Sequence, residues 1–123
     1  MHTMIYVSLI TNIVVLIPIV LLMGIKSPLV DTAWGPFTEA RGVLWSIYLA
    51  ILAASLTLVF LPVVSFVVAL LTIQIVYKVI TPFTVGNVKN PVVISNLLIA
   101  AVHLATVAIV FSEVGPGLLL ATR

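Results

Sequence analysis

The chain has 123 residues, of which 63% are hydrophobic and 7% charged, with a formal net charge of +2. Soluble domains run at about 45–50% apolar and about 25% charged, so five Lys and Arg and three Asp and Glu cannot coat a soluble surface of this size. The composition excludes a soluble globular enzyme, a disordered chain and a nucleic-acid partner met through a basic patch, and the absence of cysteine excludes a disulfide scaffold.

Three stretches contain no Asp, Glu, Lys or Arg: 1–25, 42–77 and 90–112. A membrane helix needs about 20 apolar residues. The first and third stretches fit one span each. The middle one would be roughly 54 Å long as a single helix, against a hydrocarbon core of about 30 Å. Pro62 lies near its centre, and proline is best tolerated in the first turn of a helix. Two spans joined by a tight turn around Phe60 to Val63 satisfy both constraints. The spans predicted are 4–23, 37–61, 62–80 and 92–111. Their long aliphatic runs lack the apolar–polar alternation of membrane β-strands, and lipid selects helices in which every backbone group is paired internally.

The first span has no basic residue before it and no small-residue cleavage site after it, so it is not expected to be a cleaved signal peptide. Its polar feature is Asn12. Loop one follows, with Ser27-Pro28 opening a short interfacial helix and Gly35-Pro36 ending it. This loop and the start of the second span hold Asp31, Trp34, Glu39 and Arg41, including two of the three acids in the protein. They form a candidate pocket for a polar head group. On a plainer reading, Trp34, Trp45 and Tyr48 are interface anchors and the charges are solvated helix ends, Glu39 being favoured at a helix start by the dipole. Glu39 is two residues from Arg41 and points elsewhere on a helix. Asp31, or a bound anion, is the partner expected for Arg41 beneath Trp34, near Gln74, Tyr77 and Asn96.

The third span ends with Gln74, Tyr77 and Lys78, on one helical face, and the fourth begins with Asn90, Ser95 and Asn96. Polar groups therefore gather towards one membrane side. Lys78 could alternatively snorkel to head groups. Pro36-Phe37-Thr38 in loop one recurs as Pro82-Phe83-Thr84 in loop three, as two duplicated hairpins would leave behind. His103 lies near the middle of the fourth span, at a depth similar to Asn12. Such residues are costly in lipid and usually face the interior. His103 could relay protons, act as a base, or ligate haem or chlorin. Its plainer role is an interhelical hydrogen bond to Asn12 or a carbonyl. No cofactor is required by the sequence, and no metal site is expected from one other His and no Cys.

Lys26, Arg41, Lys78 and Lys89 flank loops one and three, whereas the opposite side has Arg123 and the amino terminus. The positive-inside rule puts loops one and three in the cytoplasm. The expected protein is an all-α integral membrane protein with one domain over 1–123. Its four transmembrane helices form a compact bundle with short loops, and both termini lie on the same non-cytoplasmic side, in a bacterial inner (plasma) membrane. Small-residue ridges are expected to line the helix contacts: Ser46, Ala50 and Ala54; Ser65, Ala69 and Thr72; Ala100, Ala101, Ala105 and Ala108.

Two functions suit this pattern. Minimal loops and few intramembrane polar groups suit an accessory or scaffold subunit, associated with other membrane subunits or with its own copies. The polar cluster suits a small enzyme or carrier for a lipophilic molecule with a polar head, such as a lipid or quinone-like ligand. A cofactor-binding subunit built on His103 is a third option.

Overall fold

A computed structural model gives the structure of residues 1–115. Among these residues all regular structure is helical. The order is α1 (His2–Gly24), a 3-10 turn (Pro28–Val30) running into the short α2 (Asp31–Trp34), α3 (Glu39–Phe60), α4 (Val64–Val85) and α5 (Pro91–Val114). The four long helices have 22 to 24 residues and are apolar enough to cross a membrane.

Local chemistry sets the ends. Ser27 Oγ accepts from Leu29 N–H ahead of Pro28, Thr38 Oγ1 from Arg41 N–H, and Asn90 Oδ1 from Val92 N–H ahead of Pro91. Each supplies an acceptor to an amide that a helix start leaves unpaired. α1 closes with Ser27 N–H on the Leu22 carbonyl and Lys26 at φ 54°, a left-handed conformation that is costly for a residue other than glycine.

The third long helix departs from expectation at both ends. It starts at Val64, so Pro62 lies in the connection and not in the first turn, and it runs to Val85 rather than to residue 80. Pro82 sits inside it. A proline there sacrifices one backbone bond and kinks or breaks a helix, yet α4 continues for another turn until Gly86, at φ 73°, ends it with its N–H on the Pro82 carbonyl. Pro82-Phe83-Thr84 is consequently helical, whereas Pro36-Phe37-Thr38 is extended connection. The repeat of three residues does not mark equivalent places in the fold.

α1 packs along α3, and α4 along α5; α1 also meets α5. α3 and α4 are joined through Leu61, Pro62 and Val63 but touch only sparsely. At the far end, which carries the α3–α4 turn, Ile5, Leu9, Leu58, Val67, Val68, Leu71 and Val110 bring all four long helices into one aliphatic cluster. At the near end, which carries the other two connections, the core is built from α1, α3 and Val30: Leu16, Val20, Met23, Tyr48 and Ile51. There α2 lies between the helix pairs, tied to the start of α5 by Asn90 Nδ2 donating to the Ala33 carbonyl at 3.0 Å.

The small-residue ridges mostly face outward, contrary to expectation. Ser46, Ala50, Ala69, Thr72, Ala101, Ala105 and Ala108 are exposed, and only Ala100 is buried. The buried faces carry polar side chains instead: Ser8, Asn12, Arg41, Ser55, Gln74, Lys78, Asn96, His103 and Thr106. Where neighbouring lipid is as apolar as leucine, a polar side chain gains more from facing another helix than an alanine does.

Candidate functional site

The residues singled out by sequence fall into three separate groups. The first fastens the near-end connection. Arg41 Nη1 donates to Asp31 Oδ1 and to the Gly35 carbonyl, both at 2.6 Å. The Arg41 side chain is 3% exposed and that of Asp31 46%. The Phe37 ring is 5.5 Å from the guanidinium carbon and 4.0 Å from Lys26 Nζ. Thr38 places Arg41 in the first turn of α3, and the left-handed Gly35, at φ 78°, turns its carbonyl back onto it. Asp31 neutralises the guanidinium, so this pair acts as a clasp. Gln74, Tyr77, Asn96 and the Trp34 ring, expected beside Arg41, belong to the other two groups. Glu39 is exposed in the first turn of α3 and joins none of the three.

The second group lies mid-bundle. Asn12 Nδ2 donates to Ser55 Oγ at 3.1 Å, which turns Asn12 Oδ1 towards His103 Nε2 at 2.9 Å. Gln74 Oε1 is 3.3 Å from the same nitrogen. Two acceptors facing one ring nitrogen assign the proton to Nε2. His103 Nδ1 and Gln74 Nε2 are buried without a partner. One turn further along α5, the Ser8 and Thr106 hydroxyls meet at 2.6 Å. His103 is 0% exposed and enclosed among these side chains. Among the described residues no three of His, Cys, Asp and Glu gather as a metal site would need.

The third group is a lined cavity at the near end. Lys78 Nζ donates to Asn96 Oδ1 at 3.1 Å, and Asn96 Nδ2 to Thr81 Oγ1 at 3.2 Å. The ammonium is 4.9 Å from the centre of the Tyr77 ring. Lys78 is 5% exposed, so it does not reach out to the surface. Across from it, Trp34 Nε1 donates to Tyr48 Oη at 3.2 Å, with the two rings edge to face at 6.4 Å. A cavity of about 290 Å³ runs beside these groups, lined by the apolar Leu16, Ile19, Leu29 and Ile99 together with Trp34, Tyr48, Lys78, Ser95 and Asn96. A second, of about 360 Å³, opens on the other side of Trp34 and Asn96, against Tyr77, Thr81 and Asn90.

Tyr48 enters this wall from a face that sequence reading treated as an interface anchor. Thr81, Ser55, Ser8 and Thr106 were missed as partners. Their signal is helical phase: Ser8 precedes Asn12 by four residues, and His103 precedes Thr106 by three, so each pair shares a face. Comparison with protein-family models, with curated proteins and with solved structures gives no match for this chain.

Proposed function

We propose that this chain is an integral membrane protein that holds or carries a lipophilic molecule by its polar head at the near end of the bundle. The observation behind this reading is the 290 Å³ cavity, whose lining combines aliphatic side chains with Trp34, Tyr48, Lys78 and Asn96. Small-molecule sites are mostly apolar and orient their ligand through a few placed polar groups. An amphiphile would lay its chain along Leu16 and Ile19 and its head against Lys78 and Asn96. The accessory-subunit reading rests on short connections and apolar outer faces, which suit contact with lipid as well as with protein.

Gentle extraction from the native membrane followed by native mass spectrometry tests the proposal. One amphiphile per chain is expected, lost when Trp34→Ala opens the cavity wall. A protein at fixed stoichiometry with no bound amphiphile would instead favour the accessory or self-associating role.

In the orientation proposed with this function, the near end faces the cytoplasm of a bacterial inner membrane and both termini lie outside. Lys26, Arg41, Lys78 and Lys89 belong to the near end, in keeping with the positive-inside rule; Arg123 lies outside the described residues. A thiol introduced by Val88→Cys, in the α4–α5 connection, should react only from the cytoplasm. One introduced by Leu61→Cys, in the opposite turn, should react only from outside. The reverse pattern would invert the orientation.

A further inference from the structure

We infer that the head group taken by this cavity is an anion, a carboxylate or phosphate carried on an apolar chain; this rests on the cavity reading above. Lys78 is buried, and its hydrogen-bonding partner, Asn96, is neutral. The chain has three acidic residues, and each is placed away from it. Asp31 is bound to Arg41. Glu113 lies 3.3 Å from the Met1 amine at the far end. Glu39 is exposed at the start of α3. Among the described residues no carboxylate compensates the ammonium, and a buried charge without a counter-charge is strongly disfavoured.

The cavity wall also presents donors that no described group accepts from. An ammonium has three N–H groups, and Lys78 uses one on Asn96. Tyr48 Oη accepts from Trp34, which leaves its own O–H to donate. The Asn96 carbonyl oxygen is already engaged by Lys78. An anionic oxygen seated among Lys78 and Tyr48 satisfies these donors and supplies the missing charge. The aliphatic lining, Leu16, Ile19 and Ile99, accepts the first methylenes of an attached chain.

The test uses the full chain in dodecyl maltoside micelles, in a Trp45→Phe background that leaves Trp34, at the cavity wall, as the indole reporter. Hexadecanoate, hexadecyl phosphate, hexadecanol and inorganic phosphate are titrated while Trp34 emission is followed. Both amphiphilic anions should saturate the signal at least tenfold more tightly than hexadecanol. Lys78→Gln should abolish that preference, and Lys78→Arg should retain it. The comparison between anion and alcohol needs no variant at Lys78, so it stands even if those variants fold poorly. Equal affinity of the wild type for hexadecanoate and hexadecanol would overturn the anion assignment and leave the cavity reading intact. A preference that survives Lys78→Gln would remove Lys78 from it. Inorganic phosphate binding as tightly as hexadecyl phosphate would replace the amphiphile with a soluble anion. No saturable binding by any of the four would overturn the cavity reading itself.

Discussion

The two ends of the bundle solve the same packing problem differently. At the far end, aliphatic side chains from all four long helices meet in one cluster, with Ile5, Leu9, Val67, Leu71 and Val110 fully enclosed. At the near end the helix pairs stand apart, α2 is inserted between them, and two cavities flank Trp34. Dispersion and shape complementarity suffice where nothing has to enter. Where space is kept open, directional bonds must hold the walls: Arg41 to Asp31 and Gly35, Asn90 to Ala33, Lys78 to Asn96 and Trp34 to Tyr48. The far end is a closure, and the near end a framed opening.

The contrast is sharpest in how each end should respond to losing one side chain. Leu71→Ala, at the centre of the far cluster, should cost about 3 kcal/mol, within the range for a buried leucine that leaves a hole. Reversible unfolding in mixed micelles measures it, and amphiphile binding in the folded fraction should be unaffected. Arg41→Ala should cost about 2 kcal/mol, the scale of a charge-assisted bond with a buried partner. It should also loosen α2, seen as faster hydrogen exchange at Ala33 to Gly35. Adding Asp31→Ala should cost less than the sum of the two single changes, because they share one contact. An Arg41→Ala variant with wild-type stability and exchange would mean that the near end is not held by its clasp.

Between the two ends, His103→Gln should lower stability by about 1 kcal/mol, as an interhelical bond in lipid typically does. It should do so without altering the preference for anions. Glu39→Gln should be the smallest change, within about 0.5 kcal/mol, since the side chain is exposed and outside all three polar groups. A large effect there would reveal a contact outside the chain.

The fold was legible because the charges, with Pro62, divide the chain into apolar stretches long enough to cross a membrane, and the expected spans end within five residues of the long helices. The ends of α4 were less so, because Pro62 stays in the connection and the helix runs on through Pro82 until Gly86, free to adopt φ 73°, ends it. Helix faces were misread for a different reason. When both the inside and the outside of a bundle are apolar, hydropathy carries almost no periodicity, and small residues were the wrong guide. The polar positions were the better one, with Asn96, His103 and Thr106 all falling on the buried face of α5. Most members of the candidate site could be named from sequence. Their division could not, because Gln74 and Lys78 are one turn apart on α4 yet bond to different partners, His103 and Asn96.

The sparse contact between α3 and α4 has a consequence for biogenesis. α1 and α3 can associate as soon as both have left the ribosome, with Arg41 closing on Asp31 behind them. α4 then arrives with Gln74 and Lys78 on one face and little of α3 to cover them. Their partners, His103 and Asn96, are synthesised later, on α5. Until that helix inserts, the nascent protein carries an unsatisfied polar stripe in lipid. A chain truncated before Pro91 should therefore be the form that membrane quality-control proteases recognise and clear, while a chain that includes α5 survives.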